Sequence, residues 1–167
     1  PIIVISPSSV RETYDLIIRC FNLSEKYRTP VIFLMDEIVG HLREGVEIPE
    51  HDEIEIINRP VQKYPKQNGK PYLVAEGEMV PQMAPFGQGQ RYHITGLSHN
   101  ESGFPTNSNA ETEKLMRRLL DKINLNKDDI VQCEERDLED ADTAVVCYGG
   151  KRQKSRYFQT DYNLAFP

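Results

Sequence analysis

Apolar positions are dense in the first third of the chain and thin out in the middle. Ile2-Ile3-Val4-Ile5 is a short β-branched run, which predicts a strand. Val10, Tyr14, Ile17 and Phe21 then recur at helical spacing, with Leu16, Cys20 and Leu23 widening the stripe. Ser9-Val10-Arg11-Glu12 has capping-box spacing, so a helix is expected from about Val10 to Tyr27, ending ahead of Pro30. Pro30-Val31-Ile32-Phe33-Leu34-Met35 is apolar without interruption, the pattern of a strand buried on both faces. Strand, helix, strand predicts a right-handed βαβ unit with parallel strands, and so an α/β fold. Asp36 stops the run, and Glu37 to Glu44 suits a short helix.

From Gly45 to Pro85 the pattern changes. Prolines stand at 49, 60, 65, 71, 81 and 85 among largely polar residues, too long a stretch for an ordinary connection. Ile54, Ile56 and Ile57 suggest one short edge strand. The rest reads either as a flexible linker or as an extended arm lying on another subunit or domain. Tyr64, Tyr72, Leu73, Val74 and Met79 favour the arm, because linkers are poor in large apolar groups. Tyr92 to Thr95 suits a strand, and Gly96, Gly103 and Pro105 mark turns. Ser108 and Glu111 again have capping-box spacing, opening a helix with Leu115, Leu119 and Ile123 as its stripe, joined by Met116 and Leu120. Asp128 to Val131 leads to a short strand or turn, and Glu139 to Asp142 reads as a solvated acidic loop. Thr143 to Tyr148 predicts another buried strand, ended by Gly149-Gly150. Only six residues separate Gly150 from Tyr157, fewer than the dozen or so of a parallel crossover. A last strand within Tyr157 to Pro167 is therefore antiparallel, or a helix is missing ahead of it. The expected divisions are 1–45, 46–105 and 106–167.

With 167 residues, 38% hydrophobic and 28% charged, a soluble folded protein is expected. A net charge of −6 argues against nucleic acid and anionic membranes as partners. No apolar segment approaches a membrane span, and PIIVISPSS reads as a strand rather than a signal peptide. Cys20, Cys133 and Cys147 form no CxxC pair, so no zinc site or iron–sulfur cluster is indicated. Cys20 and Cys147 sit inside apolar runs and read as buried thiols of a reducing compartment, which fits a cytoplasmic protein.

Candidate chemistry falls in two places. Asp36 and Glu37 follow the C-terminal end of a parallel strand, where α/β sheets place ligands; the competing reading is that Asp36 only caps the following helix. The turn from Thr95 to Gly103 offers His99, Asn100 and Glu101, a donor, an amide and a carboxylate, with Gly96 and Gly103 letting the backbone bend. Gly87 and Gly89 lack the third glycine of a dinucleotide fingerprint. His93 and His99 are too loosely placed for a metal site. Gly149-Gly150 either lets backbone approach a phosphate or is a plain turn.

PSSVRETYDLIIRCFNLSEKYRTPVIFLMDEIVGHLRE resembles the α subunit of 2-oxoacid:ferredoxin oxidoreductases, in the 2-oxoglutarate or branched-chain branch. MAPFGQGQRYHITGLSHNESGFP and LEDADTAVVCYGG resemble the stretches that follow in that subunit, in the same order. The resemblance implies the end of a pyrimidine-type thiamine domain, an arm, and the start of a transketolase-C-terminal-like domain. It also implies oxidative decarboxylation of a 2-oxoacid to an acyl-CoA, with thiamine diphosphate and Mg bound mostly outside this chain. Iron–sulfur clusters would sit on other subunits. The implied partners are β and further subunits, a second α subunit, ferredoxin, CoA and the 2-oxoacid. Asp36, Glu37, Gly96, His99, Asn100 and Glu101 are the implied cofactor- or substrate-binding candidates. Ser98 and Asn100 depart from the family's acidic residues in its TG-x-EHDE-x-G turn. The family's threonine- and glycine-rich loop and its acidic residue for the pyrimidine are absent, as is its helix after the CYGG turn, so a fragment is expected. Two alternatives stand beside this: a non-catalytic assembly module, and a stand-alone flavodoxin-like domain.

Overall fold

A computed structural model describes residues 1–62, 70–136, 138–139 and 141–152. The elements run β1 (Ile3–Ile5), α1 (Val10–Tyr27), β2 (Val31–Phe33), α2 (Glu37–His41), α3 (Asn109–Asn124) and α4 (Lys127–Ile130), with a 3₁₀ turn at His51–Glu53. Two compact units are formed. One comprises Pro1, Leu23–Thr29 and Ile57–Ile130; the other comprises Ile2–Asn22, Pro30–Ile56 and Val131–Pro167.

The second unit holds the βαβ core. β1 and β2 pair in parallel with Ile3 opposite Val31, Val4 opposite Ile32 and Ile5 opposite Phe33. The expected α/β unit is therefore present, but its burial is one-sided. Ile3 and Ile5 are buried, whereas Val4 is 55% and Ile32 45% exposed. Side chains alternate across a pleated strand, so this wet face also carries Ile2 and Leu34. The expectation that Pro30–Met35 is buried on both faces is corrected for this chain: among the described residues that face is left about half exposed.

At the start of α1 the capping pair is spread over two serines. Ser9 Oγ accepts the Glu12 N–H at 3.1 Å, while the Glu12 carboxylate accepts from the N–H and hydroxyl of Ser8, both at 2.9 Å. The buried seam of α1 is Cys20, Leu23 and Tyr27; Phe21, expected on that stripe, points to solvent. Thr143 to Tyr148 is corrected too. It forms no strand, and Val146 and Tyr148 are exposed. β-Branched residues favour a pleated conformation only where a neighbour completes the ladder, and here pairing stops at an isolated bridge position on Ala144. Gly150, Lys151 and Arg152 are helical, and Arg152 pairs with Glu12 and Glu134. The expectations for residues 153–167, and for Tyr64 and Pro65 of the arm, fall outside the described residues.

The first unit is built on α3. Ser108 caps it, accepting the Glu111 N–H at 3.4 Å. Leu115 is buried on its inner face, while Met116 and Leu120 are exposed. Tyr27, the last residue of α1, donates its hydroxyl to Asp129 of α4 at 2.5 Å, beside the Lys26–Asp129 ion pair at 2.9 Å. Arg28 follows at φ 46°, a left-handed residue of the kind that ends helices. Residues 71–84 are irregular, with turns at 71–72 and 76–77. Met83 N donates to Pro60 O and its carbonyl accepts from Gln62 N, both at 2.8 Å. Ile54–Ile57 and Tyr92–Thr95, both expected as strands, are irregular; their branched side chains find no partner strand.

Candidate functional site

Asp36 and Glu37 belong to the second unit. Asp36 stands at the N-cap of α2, yet its side chain makes no cap hydrogen bond. Its Oδ2 instead accepts the Gly150 N–H at 2.6 Å. A Cβ at Gly149, where φ is 63°, would lie 2.5 Å from that oxygen. The glycine pair thus admits a close approach, and what approaches is a carboxylate of the same unit. The end of the parallel strands, the expected place for a ligand, is occupied here by the turn at 149–150. Glu37 is exposed and faces His41 at 4.0 Å; it converges with no other candidate.

The turn of the first unit is tightly built. Asn100 N donates to Phe104 O and Gly103 N to Asn100 O, both at 3.0 Å, and Thr106 N donates to Ser98 O at 2.9 Å. The Asn100 side-chain oxygen accepts from the N–H groups of Ser102 at 3.0 Å and Phe104 at 3.3 Å. An asparagine bonded in this way shapes its own turn. Gly96 is open, with nothing in reach of an added Cβ. His93 stacks on Phe104 at 4.4 Å.

His99 and Glu101 leave this turn towards a cavity of about 260 Å³. Its wall is completed by Lys70, Tyr72 and Val74 from the irregular segment, and by Glu111, Lys114, Leu115 and Arg118 from α3. His99 Nδ1 lies 3.0 Å from the Leu97 carbonyl. A carbonyl only accepts, so Nδ1 carries the proton and donates. Nε2 is closed off from solvent, with no hydrogen-bond partner among the described residues. The ring packs on Tyr72 with centroids 3.9 Å apart. Glu101 is shared between Lys114 at 3.3 Å and Lys70 at 3.7 Å. The Glu111 carboxylate accepts from the Thr106 hydroxyl.

Behind Tyr72 and Arg118 lies a cluster of cations. The Arg28 guanidinium sits 5.2 Å from the Tyr72 ring centroid and donates to Pro71 O at 2.8 Å and Pro81 O at 3.3 Å. Arg118 donates to Met79 O at 3.3 Å, and Lys122 Nζ to Arg28 O at 3.2 Å. None of these three makes an ion pair among the described residues. Burial, then neighbouring Arg28, lowers Arg118; burial, then Arg118 and Arg28, pushes Lys122 down to about 8. Sequence reasoning missed Arg118 and Lys122. Their signal was position: they stand three and seven residues beyond buried Leu115, on the inward face of α3.

Residues 1–118 match the pyruvate flavodoxin/ferredoxin oxidoreductase, thiamine diphosphate-binding family, and the chain belongs to it. Among its relatives, it is 49% identical over 150 residues to 2-oxoglutarate synthase subunit KorA of Methanocaldococcus jannaschii, covering 89% of this chain and 39% of that protein. It is 47% identical, with the same coverage, to the corresponding subunit of Methanothermobacter marburgensis. The structure of 2-oxoglutarate:ferredoxin oxidoreductase from Magnetococcus marinus, with 2-oxoglutarate, coenzyme A and succinyl-CoA bound, matches all of this chain and 30% of its own, at TM-score 0.81 and 27% identity. The chain thus spans 39% of the length of these curated relatives. This membership removes the basis for a stand-alone flavodoxin-like domain.

The family's description names thiamine diphosphate. Among the described residues no three His, Cys, Asp or Glu side chains stand close enough to hold a metal ion. No described helix is long and apolar enough to cross a membrane.

Proposed function

We propose that this chain is part of the α subunit of a thiamine-diphosphate-dependent enzyme that oxidatively decarboxylates 2-oxoglutarate to an acyl-CoA, with ferredoxin taking the electrons. The observation that carries this is its 49% identity to a 2-oxoglutarate synthase subunit over 89% of its length. The match to a structure holding 2-oxoglutarate, coenzyme A and succinyl-CoA supports the same substrate pair. Thiamine diphosphate, when bound in the assembled enzyme, would supply the electron sink for decarboxylation, with CoA as acyl acceptor and ferredoxin as electron acceptor. Mg and the iron–sulfur clusters are held outside the described residues. The partners are a β subunit, a second α subunit and ferredoxin, in the cytoplasm.

In this reading 1–45 closes a pyrimidine-type domain, 46–105 is an arm, and 106–167 opens a transketolase-C-terminal-like domain. The turn at 95–103 lies by the entrance for CoA or substrate. Its roles divide. Asn100 shapes the turn through Ser102 and Phe104, while His99 and Glu101 face the ligand.

The assembled enzyme is expected to reduce a viologen dye when 2-oxoglutarate and CoA are both present, with a higher kcat/KM for 2-oxoglutarate than for branched-chain 2-oxoacids. Equal or better turnover of branched-chain acids would reject the substrate assignment while leaving the reaction class.

A further inference from the structure

We propose that the cavity between the 95–103 turn, residues 70–74 and α3 is an anion site that receives a phosphate group, with Glu101 as its built-in competitor. This deepens the reading of the turn as a ligand site and rests on it. The chain as a whole is acidic, at −6, yet around this cavity cations outnumber carboxylates. Lys70, Lys114 and Arg118 line it. Arg28 stands behind Tyr72, and Lys122 donates to the Arg28 carbonyl. The opposing carboxylates on the wall are Glu101 and Glu111.

The pairing leaves much of this charge unmet. Among the described residues, the hydrogen bonds of Arg28, Arg118 and Lys122 go to backbone carbonyls, which offer partial charge. Lys70 and Lys114 share one carboxylate, at 3.7 and 3.3 Å, both longer than a close charge-assisted bond of about 2.8 Å. Cations held in a partly desolvated recess concentrate potential there and attract an anion. Size selects how much of a ligand enters. Whole small-molecule sites occupy roughly 300–1,000 Å³, so about 260 Å³ suits one charged group and its immediate neighbours rather than an entire cofactor. A phosphate carries more charge than a carboxylate and accepts from several donors at once. It therefore outcompetes Glu101 for the two lysines, which a single carboxylate does not.

The test uses the assembled enzyme with 3-fluorotyrosine incorporated into this subunit alone, and the ¹⁹F resonance of Tyr72 assigned by Tyr72→Phe. Tyr72 lines the cavity, and the readout needs no turnover, so it stands or falls apart from the catalytic reading. Inorganic phosphate is expected to shift the resonance saturably, and acetate to bind more weakly. Glu101→Gln should tighten phosphate binding about threefold and Lys114→Gln weaken it about threefold, the scale of half-exposed ion pairs. Opposite effects from two neighbouring substitutions are not produced by loss of folding. No saturable shift with phosphate, or a change in the same direction from both variants, overturns the proposal. A response to acetate with phosphate silent overturns the phosphate assignment.

Discussion

Replacing Gly103 by alanine is expected to destabilise the 98–106 turn by roughly 3 kcal/mol or more. Two terms add. Gly103 has φ 84°, where a side chain costs about 1–2 kcal/mol. A Cβ there would also fall on the His93 carbonyl oxygen and lie 2.8 Å from its carbon. That obstacle is backbone, so no rotamer change relieves it. The turn must open, and the Asn100–Phe104 and Thr106–Ser98 backbone bonds that hold His99 and Glu101 at the cavity are lost with it. Hydrogen exchange of the amides of Asn100, Gly103 or its replacement, and Thr106 reads this directly. Exchange in Gly103→Ala as slow as in the unsubstituted protein contradicts the account. Gly96, with nothing in reach of an added Cβ, serves as the control, and Gly96→Ala should leave those amides protected.

Raising the pH from 8 towards 9 is expected to strengthen the seat of α3. Lys122 is 3% exposed and titrates at about 8 in the fold, against 10.5 ordinarily. Between those values the unfolded chain binds more protons at this position than the folded one, so stability rises with pH. Below 8 both states are protonated and the penalty is constant. The full span corresponds to about 3 kcal/mol. Two acids oppose it higher up: burial raises the Cys20 thiol, and burial with Asp129 raises the Tyr27 hydroxyl. Each destabilises the fold once its unfolded counterpart ionises, from the ordinary 9.0 and 10.0. The clean window is therefore pH 8 to 9. Hydrogen exchange of α3 amides, corrected for intrinsic rates, should show protection rising across it, and Lys122→Met should abolish the rise. An equal slope in both proteins rules out Lys122 as the source.

What was legible in the sequence was local. The run Ile2–Ile5, the stripe and serine caps of α1, the run from Val31, and Ser108 ahead of α3 are short-range patterns, and each produced its element. The failures share one cause. Tyr92–Thr95 and Thr143–Tyr148 have strand composition, but a strand exists through its partner, and composition carries no information about one. The candidate site divides along the same line. His99, Asn100 and Glu101 were readable because they are consecutive. The cations were not, because Arg28, Lys70 and Arg118 are brought together only by folding. Asp36 was read from its position before α2 as a cap or a ligand; its carboxylate is spent on Gly150, far along the chain. Lys122 went unread, although its helical phase with Leu115 marked it as inward-facing.

The central claim is that this chain supplies part of an α subunit on which a 2-oxoacid:ferredoxin oxidoreductase depends. The most direct test is omission. The enzyme is reconstituted from its subunits with and without the subunit that carries this chain, and 2-oxoglutarate- and CoA-dependent viologen reduction is measured, alongside the 167-residue chain alone. Activity in the complete mixture, with none in either of the others, is the expected result. Undiminished activity when the subunit is left out, or dye reduction by the chain by itself, would contradict the account.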